Sequence, residues 1–204
     1  MKRFSTILMS MLLIGGMTLQ AQTEISKEEK AVVIKYLKET QNDMIKVLKG
    51  LSEAQLNFKP DAGSWSVAEC LKHITISESA LWGNFVTGAM ATAADPSRRG
   101  EVQMTDDQIM GLIESREQKV KTFPPFEPNN KPESVKDVLK EFKSLRAEHI
   151  KFVKKTNADL RNHYGTLPFG TVDTYQAILF MAGHTKRHTD QMKEVMANAS
   201  FPKQ

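Results

Sequence analysis

The sequence predicts an all-α protein: a four-helix bundle with an additional short helix inserted between bundle helices 2 and 3. Three observations predict this class. Apolar residues recur at three- and four-residue spacing through four long stretches. Several of those stretches open on a Ser, Thr or Asp followed three positions later by Glu or Gln, the pattern that closes off the free amides of a helix start. No stretch sustains the alternation of a half-buried strand. Long amphipathic helices can bury their apolar stripes only against each other, so a bundle is the economical arrangement.

The N-terminus stands apart from that pattern. Met1-Lys2-Arg3 is a short basic start, Ile7 to Met17 is apolar apart from Ser10 and two glycines, and the small residue Ala21 closes the segment. This is the layout of a secretory signal peptide, and its apolar core is too short to span a bilayer. The expectation is cleavage near Ala21, leaving residues 22–204 as one exported domain, periplasmic or secreted, with no membrane segment after processing. No cysteine lies near the cleavage point, which excludes a lipoprotein anchor.

The first bundle helix starts at the Ser26/Glu29 pair. Val33, Ile34, Leu37, Met44, Ile45 and Leu48 line one side of it, and Gly50 stops it. Leu51 to Ser64 reads as a connection. Ser66 with Glu69 opens a second helix, expected from about Val67 to Met90, with Cys70, His73, Ile74, Ser77 and Leu81 on adjoining faces. After a polar linker with Pro96 and Gly100, Thr105 with Gln108 opens the shorter inserted helix, expected over 106–122. The stretch Phe123 to Pro132 holds four prolines and must be extended or turn-like. Ser134 opens the next long helix, with Val138, Phe142, Leu145, His149 and Phe152 as its seam. Asn157 to Val172 is a connection carrying His163, Gly165, Pro168 and Gly170. Asp173 with Gln176 opens the last helix, where Ile178, Met181, Ala182, Thr185 and Met192 share a side.

Charge and cysteine content narrow the function classes. The formal charge of +4 loses two units if Lys2 and Arg3 leave with the leader. The remainder is too small and too dispersed for a nucleic-acid footprint. Cys70 is the only cysteine, so no intramolecular disulfide forms, and the thiol is expected to be buried and inert.

The chemistry concentrates in the last helix. His184 and His188 are four residues apart, hence one turn apart on the same face, where both imidazoles can reach one small ion. Two ligands do not make a site. His73, on a different bundle helix, is the best third candidate. Three neutral imidazoles with an open position form a metal centre able to act on water or substrate. Thr185 follows the first histidine where zinc proteases place a glutamate, so that protease mechanism is excluded. His149 reads as a hydrogen-bonded core residue and His163 as a solvent-facing loop residue, with entry into the site open for both. Glu69 reads as a helix cap. Glu78 is a supporting acceptor or a surface acid. Asp190 and Gln191 can orient an imidazole or lie on a solvated face. Arg187 can hold an anionic substrate or belong, with Lys186, to ordinary basic surface. Trp65 and Trp82 read as packing residues. No general acid or base stands out.

Three segments in order, WSVAECLKHITISESALW (65–82), LPFGTVDTYQ (167–176) and HTKRHTDQM (184–192), together resemble the DinB/YfiT-like superfamily of metal-binding four-helix bundles. The resemblance covers nearly all of the expected mature chain. It implies one divalent ion, nickel or zinc, held by His73, His184 and His188. It also implies a metal-dependent hydrolase, or a transferase or isomerase dependent on a low-molecular-weight thiol. Homodimers are common in such a family. The export signal favours hydrolysis over thiol transfer, since such thiols are mainly cytosolic. A non-catalytic module that binds metal or a small ligand is the alternative from another class.

Overall fold

The structure, a computed structural model, describes residues 24–117, 121–128 and 133–203; the expected leader, 1–21, lies outside them. Four long helices form the body: α1 (Lys27–Leu48), α3 (Val67–Trp82), α5 (Val135–Lys155) and α6 (Thr174–Met196). A short α2 (Glu53–Asn57) lies between the first two, and α4 (Asp106–Glu114) is the inserted helix between the second and third. Among the described residues no helix is long and apolar enough to cross a membrane.

The helix starts follow the expected chemistry. Ser26 accepts from the Glu29 amide at 3.0 Å while Glu29 accepts from the Ser26 amide at 2.7 Å. Ser66 with Glu69 and Thr105 with Gln108 close in the same reciprocal way. So does Ser52 with Gln55, which opens a short helix inside the stretch expected as a connection. Asp173 caps α6 through the Gln176 amide at 2.7 Å. The Gln176 side chain does not return the bond; it donates to the Met104 carbonyl at 2.8 Å and so ties the insertion to the bundle.

Three elements differ from expectation. The second bundle helix ends as an α-helix at Trp82 and continues as a π turn over Gly83–Thr87 and a single 3-10 turn, so its helical course reaches Ala91 without α geometry. Helix α4 stops at Glu114, where Ser115 turns out of helical geometry at ψ 129°, and the Glu114 side chain accepts from the Tyr36 hydroxyl and pairs with Lys186. The segment 164–173 forms a hairpin of β1 (Tyr164–Leu167) and β2 (Gly170–Asp173), antiparallel with Leu167 opposite Gly170. Strands of four residues are too short to show alternation, and Gly170, at φ 134°, takes a backbone angle that L side chains rarely adopt.

Helix α1 packs against α5 and α6, and α3 packs against the same two. The first two long helices therefore lie across the bundle from each other, and the topology is not a simple up-and-down sequence. Gly183 permits the approach of α4 to α6: a Cβ there would stand 2.4 Å from Cγ2 of Ile113.

The core is divided along the bundle axis. Beside a smaller cluster of Ile109, Leu167, Val172 and Ala177, two lie along the axis: one holds Leu37, Leu81, Val153 and Ala182, the other Met44, Ile74, Phe142 and Met192. Between them, every long helix contributes buried polar groups: Thr40, Ser77 and Glu78, Arg146 and His149, Thr185 and Thr189. Arg146 is the centre of this layer. Its Nε and Nη2 donate to the two Glu78 oxygens at 2.7 Å each. Its remaining donors reach the Leu37 carbonyl at 2.8 Å, Thr40 at 3.1 Å and Thr185 at 2.8 Å, so all five N–H groups are used. The expected α5 seam took Leu145 where the structure buries Arg146, because a charged side chain reads as surface until its partner is known.

Candidate metal centre

The ligand candidates meet in this middle zone. His73, on the second turn of α3, and His184 and His188, one turn apart on α6, bring ring nitrogens to within 4.8 Å of one another. The His73 Nε2 lies 3.1 Å from Nε2 of His184 and 3.1 Å from Nε2 of His188. Among the described residues no carboxylate or thiol joins that cluster.

Hydrogen bonds fix which nitrogens face inward. The Nδ1–H of His73 donates to the Phe126 carbonyl at 2.6 Å, and a carbonyl can only accept. The Nδ1–H of His188 donates to Oε1 of Gln191 at 2.8 Å. The proton of each neutral ring is thereby committed, and both Nε2 atoms point lone pairs at each other across 3.1 Å. Two acceptors so placed repel unless a cation lies among them.

Protonation is a poor way to relieve that repulsion here. Burial pushes the pKa of His73 below the ordinary imidazole value of 6.5, against the opposing pull of the Phe126 carbonyl. Burial, and then the neighbouring histidines, hold His184 and His188 well below it. The rings stay neutral, which is the ligand form. Donors of this type, spacing and protonation suit a single small divalent ion, for which imidazole nitrogens sit at about 2.0–2.1 Å from zinc.

The flanks are aromatic. Trp65 packs on His73 with ring centroids 4.7 Å apart and on His188 at 5.9 Å. Phe180 stacks beside His184 at 6.2 Å. A cavity of about 600 Å³ opens against His188, lined by Trp65, Arg116, Lys121, Glu127, Arg187 and Glu194. Arg187 is only 8 % exposed. Its burial, and next the nearby Arg116, push its pKa below the ordinary arginine value. Lys186, by contrast, pairs with Glu114 and Asp190 on the outer face.

The other candidates fall outside the cluster. The Nδ1–H of His149 donates to Oε1 of Glu78 at 2.9 Å, and the ring stacks on Trp82 at 3.8 Å. Glu78 is a core acid rather than a surface one. Burial alone would raise its pKa, but Arg146 and His149 bring it below the ordinary carboxylate value. His163 is buried, not solvent-facing: its carbonyl accepts from the Thr174 amide at 2.9 Å, and its Nδ1 has no hydrogen-bond partner among the described residues. Burial raises the Cys70 thiol to about 12, which removes its reactivity. Glu69 is a helix cap, as expected, accepting from the Ser66 amide at 2.9 Å. Of the two α6 candidates for orienting an imidazole, Gln191 does so and Asp190 pairs with Lys186 and Lys193. Sequence reasoning missed the Phe126 carbonyl, which carries no side-chain signal, and Arg116 with Glu194, which meet only in the fold.

The chain is similar to one known protein in sequence and to another in fold. A curated Bacillus subtilis (strain 168) protein, the uncharacterized protein YuaE, is 26 % identical over 151 residues, covering 72 % of this chain and 87 % of that one. The solved structure of YfiT from Bacillus subtilis, described as a probable metal-dependent hydrolase with an unusual four-helix bundle topology, superposes with a TM-score of 0.57 at 14 % identity. That match covers 87 % of this chain and 91 % of YfiT. The DinB superfamily model matches residues 36–192, most of the chain, and the chain belongs to that superfamily.

Proposed function

We propose that this chain is an exported metal-dependent enzyme, with hydrolysis the favoured reaction. His73, His184 and His188 hold one divalent ion, zinc or nickel, through their Nε2 atoms. The observation that carries the reading is the convergence of three neutral imidazoles, the His73 Nε2 lying 3.1 Å from Nε2 of each of the other two, with two outward protons already committed. The description of YfiT as a probable metal-dependent hydrolase supports the reaction class.

When bound, the ion supplies Lewis acidity, polarising a carbonyl or phosphoryl group and acidifying water or a thiol. The chain's own groups do the rest. The Phe126 carbonyl and Gln191 lock tautomer and ring orientation, which raises the basicity of the inward nitrogens. Trp65 and Phe180 exclude water from the ring edges. The cavity beside His188 admits the reactant.

Elemental analysis of untagged protein from the exported fraction tests the site. Close to one zinc or nickel per chain is expected, and none in the variant with all three histidines replaced by alanine. Stoichiometric metal in that variant after dialysis refutes the assignment. Mass spectrometry of the same material tests export, with a mature N-terminus expected at residue 22. A non-catalytic binding module is the second reading, favoured by the lack of a carboxylate in the histidine cluster among the described residues. Metal-dependent turnover across a panel of ester, amide and thiol-transfer substrates rejects it. Turnover only with a thiol cosubstrate places the chain with the thiol S-transferases instead.

A further inference from the structure

A groove of about 370 Å³ lies between α1 and α5, and its wall is basic: Lys38 of α1 and Lys143, Lys151, Lys154 and Lys155 of α5 line it. All five are exposed. Among the described residues no carboxylate forms an ion pair with any of them. Other surface lysines do have such partners: Lys35 pairs with Glu39 at 3.0 Å, Lys46 with Asp43 at 3.4 Å and Lys193 with Asp190 at 2.7 Å. Glu148 stands in the adjoining hollow beside Lys151 and Lys155 and pairs with neither. Residues 1–23, 118–120, 129–132 and 204 contain no Asp or Glu, so none of them brings a side-chain carboxylate to the groove.

Folding alone does not call for this arrangement. Lys151 and Lys155 are one turn apart on α5, where like charges repel. Lys154 and Lys155 lie in the last turn and gain from the helix dipole, but Lys38, Lys143 and Lys151 lie outside it. From Lys143 to Lys155 the row extends about 18 Å along the helix axis. Its chemistry selects an occupant. An ammonium is a compact point charge suited to closely spaced phosphates, whereas carboxylates are matched in geometry by arginine. Among the described residues the groove holds neither an arginine nor an aromatic ring, so it offers no fork for a carboxylate and no platform for a base. A hollow between two helices admits a chain, while a flat bilayer meets only its lips.

We infer that the α1–α5 groove is a docking site for a linear phosphate polymer without bases, a polyphosphate chain lying along α5 with its oxygens on the five lysines. The inference is independent of the metal reading, since no lining residue of the groove belongs to the histidine cluster.

Anisotropy of a fluorescently labelled polyphosphate, titrated with the purified protein at low and at physiological salt, tests it. Saturable binding is expected, weakening as salt rises. Lys38→Gln/Lys143→Gln/Lys151→Gln is expected to weaken it about tenfold or more. Lys35→Gln/Lys46→Gln/Lys193→Gln removes the same formal charge from other faces and is expected to leave the affinity within about twofold. No saturable binding, or an equal loss in the two triple variants, overturns the inference. Oligothymidylate, polyglutamate and vesicles of equimolar phosphatidylglycerol and phosphatidylcholine serve as competitors. Tighter groove-dependent binding of any of these gives the face to that partner and overturns the inference. Circular dichroism confirms that the variants are folded. Lys143→Gln and Lys151→Gln singly, each expected to weaken binding about two- to threefold, carry the comparison if a triple variant is not.

Discussion

The Nδ1–H of His73 donates to the carbonyl oxygen of Phe126 at 2.6 Å, across 53 residues of sequence. A backbone atom of the insertion between bundle helices 2 and 3 thus sets the tautomer of a ligand candidate on α3. Gln191 performs the same service for His188 from within α6.

That second contact can be removed by a side-chain substitution. Gln191→Leu frees the His188 ring to rotate and to carry its proton on either nitrogen. Zinc affinity is expected to fall about 10–100-fold. Competition against a chromophoric chelator measures it, and an unchanged affinity would show that the ring is held by packing alone.

Proton uptake gives a second prediction. In metal-stripped protein His73, His184 and His188 all titrate below 6.5. Below that pH the unfolded chain binds protons that the folded chain refuses, so stability falls as pH drops beneath 6.5 and is level above it on account of these groups. Urea denaturation midpoints between about pH 7 and 5 should show this slope. Replacing all three histidines by asparagine should flatten it.

Glu78 acts lower on the scale. Its folded-state pKa lies below the ordinary 4.5, so its contribution is present above 4.5 and is lost as pH falls through the lower value. Glu78→Leu leaves the Arg146 guanidinium in the core without its carboxylate and is expected to destabilise by about 3–5 kcal/mol. The double variant Glu78→Leu/Arg146→Met should recover much of that loss. Chemical denaturation of the three proteins at neutral pH measures both effects.

Packing beside the histidines gives the fourth. A Cβ at Gly183 would lie 2.4 Å from Ile113 and 2.9 Å from the Tyr36 hydroxyl. Gly183→Ala should therefore force α4 away from α6, destabilising by about 1–3 kcal/mol. Adding Ile113→Ala should relieve the clash with that side chain. Failure of the second substitution to restore any stability would place the strain at Tyr36 instead.

The sequence carried much of this arrangement and withheld identifiable parts of it. Caps at Ser26, Ser66 and Thr105 are local chemistry, and their three-residue spacing is visible in the chain. The histidine pair on α6 is likewise a local spacing, and His73 followed from needing a third imidazole on another helix. The four-residue strands gave no periodic signal. Arg146 looked like surface because its neutralising partner is 68 residues away. The Phe126 carbonyl is chemically the same as any other backbone carbonyl, so only the fold distinguishes it.

The polar zone that parts the two apolar clusters has a consequence for how the helices line up. Greasy surfaces slide past each other with little preference for one offset over the next. Shifting α5 by one turn, about 5.4 Å, would push the Arg146 guanidinium among methyl groups and strand the Glu78 carboxylate. The ion pair therefore works as a key cut for a single axial setting. Because Thr185 is both a tooth of that lock and the neighbour of His184, the same setting dictates where α6 presents its imidazoles.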